Sequence, residues 1–217
     1  MPDTVPDIDA VLNEIKEHFA LLRAPALFAS IAAHEGYFRT TWQKYQTVML
    51  TGEIEAPTKQ LMGLAVAVTK TNDYMIGLQK REVRQSGLSD REQLEALAVA
   101  DFFEGFDSFA HALHVDSELR PRKLAAGDMS LIDREIDVNV PYVLDSDDAA
   151  VREVYEEIKK SMCIPFVPNI FKALAHQPAM LQAKWESYKA IMGTGKLKRL
   201  TKELVAVTVS AVNACFY

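Results

Sequence analysis

The chain's chemically versatile side chains include two cysteines, five histidines and a few well-spaced acids. Cys215 stands two residues after Asn213 and is followed by Phe216 and Tyr217. If Asn213 caps a helix, Cys215 falls in its first turn, where unsatisfied N–H groups and the helix dipole favour a thiolate. A thiol in that setting is a redox nucleophile; the alternative is a small apolar residue of the core. Cys163, between Met162 and Ile164 at the end of an apolar helix, fits the core role better. His111 and His114 lie three apart on a predicted helix with Asp107 one turn earlier, but they lack a clear third ligand, so no metal site is assigned. Gly193-Thr-Gly195-Lys196 imitates a phosphate loop. Ala190 stands where such a loop needs its first glycine and Leu197 where it needs a hydroxyl, so the segment reads as a helix terminus. The dinucleotide, zinc-protease and nucleophile-elbow patterns are all missing, and no cofactor is expected.

The elements that must hold these residues are helices. Residues 8–22 carry Ile8, Val11, Leu12, Ile15, Phe19 and Leu22 at three- and four-residue spacing. Residues 37–50 repeat the pattern and stop at Gly52, and Pro57 opens the next helix at its first turn, where a missing N–H costs little. Ser89-Asp90-Arg91-Glu92 is a capping box that starts a helix running to about His114. Residues 147–162, 178–192 and 201–213 give equivalent signals. With no alternating β-branched segments to compete, the expected fold class is all-α.

Self-comparison reveals a repeat. Pro25-Ala-Leu-Phe28 aligns with Pro168-Asn-Ile-Phe171, and Trp42, Tyr45 and Met49 with Trp185, Tyr188 and Met192. Thr51-Gly52, Thr58-Lys59 and Leu61 align with Thr194-Gly195, Thr201-Lys202 and Leu204. The offset is 143 throughout, and about 13 of 50 positions agree between 25–74 and 168–217, including both tryptophans. Chance likeness between amphipathic helices scatters Leu and Ala matches; it does not pair Trp, Tyr and Thr-Gly in one ungapped register. The expected organisation is a first unit over 1–120, a connector over 121–147, and the N-terminal part of a second unit over 148–217.

Composition removes several function classes. The chain has 217 residues, 24 Lys+Arg against 30 Asp+Glu, and 49% hydrophobic residues. Asp128, Asp133, Glu135, Asp137, Asp145, Asp147 and Asp148 face only Arg134 in one stretch, which accounts for the whole net charge of −6. It reads as a solvated connector, in which Ile136, Val138 and Val140 could form a short extended piece. A pI near 5.4 argues against a nucleic-acid partner, and two cysteines cannot make a disulfide scaffold. No apolar run approaches the roughly 20 residues of a membrane span, and the acidic start is unlike a signal peptide. A cytoplasmic protein with reduced thiols is expected.

From Thr201-Lys-Glu203 through Asn213-Ala-Cys215-Phe-Tyr217 the chain resembles the AhpD-like, peroxidase-related branch of the carboxymuconolactone decarboxylase superfamily. In that family a glutamate precedes the first cysteine of a Cys-x-x-Cys pair by twelve residues, and a histidine follows four beyond the second cysteine. Glu203 and Cys215 have the first spacing. The blocks Ser86–Val115 and Phe166–Pro178 are also similar to the family. The resemblance implies an all-helical bundle that forms symmetric homo-oligomers and reduces hydroperoxides at the expense of a thiol reductant, an antioxidant role with Cys215 and Glu203 as catalytic residues. It also implies that a second cysteine would follow Tyr217. In the first repeat the matching positions are Gln60, Asn72, Met75 and Gln79, which cannot run thiol chemistry. Twelve residues of straight helix span about 18 Å, so Glu203 reaches Cys215 only if the chain bends or reverses near Asn213, or if the glutamate comes from another subunit.

Two other readings stay open. One is a decarboxylase-like lyase, for which Gln60 and Gln79 cannot titrate and Arg81 and Arg84 are the only evident carboxylate binders. The other is a non-catalytic helical assembly module.

Overall fold

A computed structural model describes residues 7–115 and 141–215. Asp128, Asp133, Glu135 and Asp137 of the acidic stretch, with Ile136, Val138 and Val140, lie outside the described residues. Among those described, every regular element is helical, and no helix is long and apolar enough to cross a membrane. The chain divides into two units, residues 1–93 and 94–217, with the boundary inside the long helix α6 (Asp90–Ala112). The sequence-based boundary at 120 would have left all of that helix with the first unit.

The first unit contains α1 (Ile8–His18), α2 (Ala26–Ile31), α3 (Glu35–Tyr45), α4 (Ala56–Thr69) and α5 (Asp73–Gln85). Its core gathers Val11 and Ile15 of α1, Phe19, Phe28, Phe38, Trp42 and Leu78. The amphipathic spacing read from the sequence is the cause, since Val11 and Ile15 fall on one helix face and Phe38 and Trp42 on another. α1 ends four residues earlier than its apolar pattern, because Ala20 turns left-handed at φ 45°. The Ala20 and Leu21 amides then bond back to the Glu17 and Lys16 carbonyls at 2.9 and 3.0 Å, satisfying the helix end. The expected helix over 37–50 is α up to Tyr45 and a π-helical turn over Gln46–Leu50. Thr47 and Thr51 donate their hydroxyls to the Gln43 and Thr47 carbonyls at 2.9 and 2.8 Å, taking up acceptors that a widened turn leaves poorly served. Gly52, at φ 103°, supplies the stop.

The second unit contains most of α6 with α7 (Ala149–Met162), α8 (Asn169–Leu174), α9 (Pro178–Met192) and α10 (Arg199–Val212). α6 starts on the expected capping box, with the Ser89 amide and hydroxyl both donating to Glu92 Oε2, at 2.8 and 2.6 Å. Its Phe102 and Phe106 stack and pack on Tyr188 and Phe171. Ile158, Ile170, Leu181, Trp185, Met192, Val205 and Val209 fill the rest of this core. Tyr155 donates its hydroxyl to the Val143 carbonyl at 2.7 Å, fixing the strand-less segment before α7, and burial pushes that phenol up to about 12.

Candidate functional site

Cys215 lies beyond the C-terminus of α10, where Asn213 ends a helix instead of starting one. The Asn213, Ala214 and Cys215 amides bond to the carbonyls of Val209, Ala211 and Ser210 at 2.9, 3.2 and 3.0 Å, and Ala214 adopts φ 52°. The expectation that Asn213 caps a following helix is therefore corrected. Its side chain instead donates to Asp107 Oδ2 at 3.3 Å, while Ser210 donates to Oδ1 at 3.0 Å. Asp107, 5% exposed, is thus an anchor between α6 and the end of α10, which explains an acid that the sequence offered as a metal-face residue. His111 is exposed on α6, His114 sits at φ 51° in its terminal turn, and no group of three or more His, Cys, Asp or Glu among the described residues could hold a metal.

The loop at Cys215 has a counterpart 143 residues earlier. The Lys70, Thr71 and Asn72 amides bond to the carbonyls of Val66, Val68 and Ala67 at 3.0, 2.9 and 2.9 Å, and Thr71 adopts φ 48°. Each bond matches one at Cys215, donor for donor and acceptor for acceptor. There the chain continues: Asn72 is the N-cap of α5, and its side chain accepts from the Met75 amide at 3.1 Å. α5 then packs back along α4, bringing Gln79 against Gly63, where an added Cβ would stand 2.5 Å from Gln79 Oε1. A reversal of the chain, not a bend in a helix, is how positions this far apart in the sequence meet in the first unit.

Glu203 is on the second turn of α10, bound by Arg199 Nε at 2.6 Å, and lines a small cavity of about 180 Å³ with Phe102, Phe106, Phe171 and Tyr188. Cys215 follows the far end of the same straight helix, so the rise of the intervening nine helical residues alone separates them by about 13 Å. The structure does not bring the two together. Cys163 is exposed and holds φ 54° at the end of α7, the position that Ala20 occupies after α1. The Gly193–Lys196 segment does cradle an anion, but an internal one: Glu95 accepts from the Lys196 and Leu197 amides at 2.8 and 2.9 Å. Lys202, 1% exposed, completes the knot by donating to the Ile191 and Gly193 carbonyls at the end of α9 and lying 3.7 Å from Glu95.

One polar cluster was not foreseen. Glu82 of α5 is 2% exposed in the first unit's interior. It accepts the Tyr45 hydroxyl at Oε1 and the Gln79 amide at Oε2, the latter at 2.9 Å. His18 Nε2 lies 3.3 Å from both the Tyr45 oxygen and Glu82 Oε1. Tyr45 has already given its single proton to Glu82, so both atoms facing the imidazole are acceptors, and Nε2 carries the proton. The other ring nitrogen, Nδ1, is left without a hydrogen-bond partner among the described residues, and 23% of the His18 side chain is open to solvent. Burial first, and the Glu82 carboxylate second, hold the Tyr45 phenol well above its ordinary range. The signal available in the sequence was the acid and histidine at apolar-face positions of their helices, Glu82 four residues after Leu78 and His18 three after Ile15.

An all-helical fold carrying these features is in keeping with the resemblance drawn above. The carboxymuconolactone decarboxylase family model matches residues 35–118, a span that includes Gln60, Asn72, Gln79 and Glu82 but not Cys215. The chain is also similar to an (R)-2-haloacid dehalogenase of Pseudomonas putida, at 23% identity over 228 residues covering 96% of this chain and 72% of the relative. No solved structure matches.

Proposed function

We propose that the chain is a duplicated AhpD-like thiol oxidoreductase that reduces hydroperoxides at Cys215. The observation supporting this is the loop that Cys215 shares, bond for bond, with Asn72. In the first unit, the side chain at that position accepts the Met75 amide in the first turn of α5, and the first turn of a helix is an environment that favours an anionic sulfur. The thiolate attacks the terminal peroxide oxygen, the O–O bond breaks, an alkoxide leaves and takes a proton, and the sulfur is oxidised to a sulfenic acid. A reductant thiol condenses with that acid, releasing water, and a second thiol frees Cys215 as the reductant leaves as its disulfide. Glu203, distant along α10, serves as a proton relay from another subunit of a homo-oligomer. Steady-state consumption of cumene hydroperoxide with dithiothreitol as reductant tests the reading. Cys215→Ser is expected to abolish turnover and Cys163→Ser to preserve it; undiminished turnover by Cys215→Ser rejects the proposal.

A second reading is favoured by the His18–Tyr45–Glu82 cluster and the likeness to the dehalogenase. In it, His18 Nδ1 takes a proton from water, the oxygen attacks C2 of a 2-haloacid, and halide leaves. Chloride release from (R)-2-chloropropionate that survives Cys215→Ser and is lost in His18→Gln is the expected result under this reading; no release by the unsubstituted chain rejects it.

A further inference from the structure

Only Arg81 and Arg84 stood out in the sequence as carboxylate binders, yet the first unit gathers four cations on one cleft. Arg23, from the loop between α1 and α2, joins Lys80, Arg81 and Arg84 of α5 around a cavity of about 820 Å³. None of its lining residues is an acid, although the chain as a whole has six more acids than lysines and arginines. Arg81 is partly committed: its Nε donates to the Phe19 carbonyl at 2.8 Å, and a terminal nitrogen donates to the Ala20 carbonyl. These bonds seal the end of α1 and leave the guanidinium charge in place. The side chains of Arg23, Lys80 and Arg84 are exposed and have no hydrogen bond or ion pair to any described residue. Unlike Arg39 or Lys159, each of which has an acid within reach on its own helix, they project charge with no internal use.

The floor of the cleft differs from its rim. Leu21, Ala24, Pro25 and Leu78 present apolar surface, and Gly77 leaves the α5 wall open, since nothing stands within 4 Å of where its Cβ would be. Tyr74 adds a directed donor: its oxygen already accepts the Leu27 amide at 3.0 Å, so its own proton is left to give. Several like charges held around an apolar depression repel one another, and that repulsion is relieved by an anion with a hydrocarbon body. A bare inorganic anion would leave the floor wet, and a neutral apolar molecule would leave the rim repulsive.

We propose that this cleft binds a small organic acid, its carboxylate paired with Lys80 and Arg84 and its apolar body on Leu21 and Leu78. The inference does not depend on the thiol reading, and its test involves neither Cys215 nor turnover. The full chain, labelled with nitrogen-15, is titrated at low salt with 3-phenylpropionate, with its neutral counterpart 3-phenylpropanol, and with inorganic phosphate. The expected result is saturable shifts of the Gly77, Leu78 and Arg84 amides with 3-phenylpropionate, with binding about tenfold weaker for each of the other two probes. A Lys80→Gln/Arg84→Gln double variant, altered only at exposed side chains, is expected to keep its helical circular dichroism and to lose about tenfold in affinity. Equal binding of the alcohol or of phosphate, unchanged affinity in the double variant, or no saturable shift at these amides would each overturn the proposal.

Discussion

Trp42 and Tyr45 in the first unit and Trp185 and Tyr188 in the second stack in the same way, with ring centroids 5.2 Å apart in both pairs and interplanar angles of 10° and 13°. Phe28 and Phe171 meet the tryptophan edge-on at 5.5 and 5.8 Å, each at 90°. Each indole N–H donates to a glutamate, Glu14 of α1 or Glu157 of α7. On this common frame the tyrosine hydroxyls have opposite partners. Tyr45 donates to buried Glu82, whereas Tyr188 accepts from Arg199 at 2.6 Å, and Arg199 in turn holds Glu203. The frame therefore sets where the hydroxyl stands, and the neighbouring helix decides what it does. The first unit spends its polar residues on an interior network, and the second on a half-exposed one.

The largest effect expected from this comparison is shared by both units. Trp42→Ala and Trp185→Ala each empty a core position and should each cost about 3–5 kcal/mol in chemical denaturation. A cost confined to one of them would break the claim of a common frame. Glu82→Ala comes next, at about 3 kcal/mol, because it strands the Tyr45, Gln79 and His18 donors in the interior. Glu203→Ala removes a half-exposed ion pair and should cost no more than about 1 kcal/mol. Equal losses at the two glutamates would erase the distinction between the networks.

The tyrosines sharpen it further. Burial is the main cause raising both phenols; at Tyr45 the Glu82 carboxylate adds to the rise, while at Tyr188 the Arg199 charge opposes it. The folded chain holds these protons where an unfolded chain, at the ordinary value of 10.0, releases them. That contribution is whole below pH 10 and declines as the pH climbs above it. Denaturation midpoints measured from pH 9 upward should fall, and Tyr45→Phe should flatten the fall more than Tyr188→Phe. The smallest effect concerns Gly63→Ala, whose Cβ would meet the Gln79 oxygen and should cost about 1–2 kcal/mol unless that side chain swings away. Nearly unchanged stability there would mean that Gln79 is not pinned.

Much of the scaffold was legible because it is local. The capping box at Ser89, the stop at Gly52 and the apolar stripes of α1, α4 and α9 are set by neighbours a few residues away. The aligned stretch began at Pro25, and the same 143-residue spacing relates residues before it. Val11, Glu14, Ile15 and Lys16 match Val154, Glu157, Ile158 and Lys159, and the turns at Ala20 and Cys163 close with matching bonds. The end of α1 was missed because Ala20, a non-glycine residue, takes a left-handed φ, and no residue type announces that turn. The Glu82 network was hidden for a different reason. His18, Tyr45 and Glu82 come from three helices, so their meeting depends on packing rather than on spacing. The Gly193–Lys196 loop was read as a helix terminus, but the acid it holds, Glu95, lies 101 residues away from Lys196 and could not be read from the sequence.

The central claim is that the turn after α10, and not thiol exposure, singles out one cysteine. The most direct measurement is dimedone trapping of sulfenic acid after brief exposure of the native chain to hydrogen peroxide, resolved by peptide mass spectrometry. Cys163 is the internal control, being the more exposed of the two thiols. The expected result is label on Cys215 with little on Cys163. Equal labelling of both, or preference for Cys163, would contradict the account.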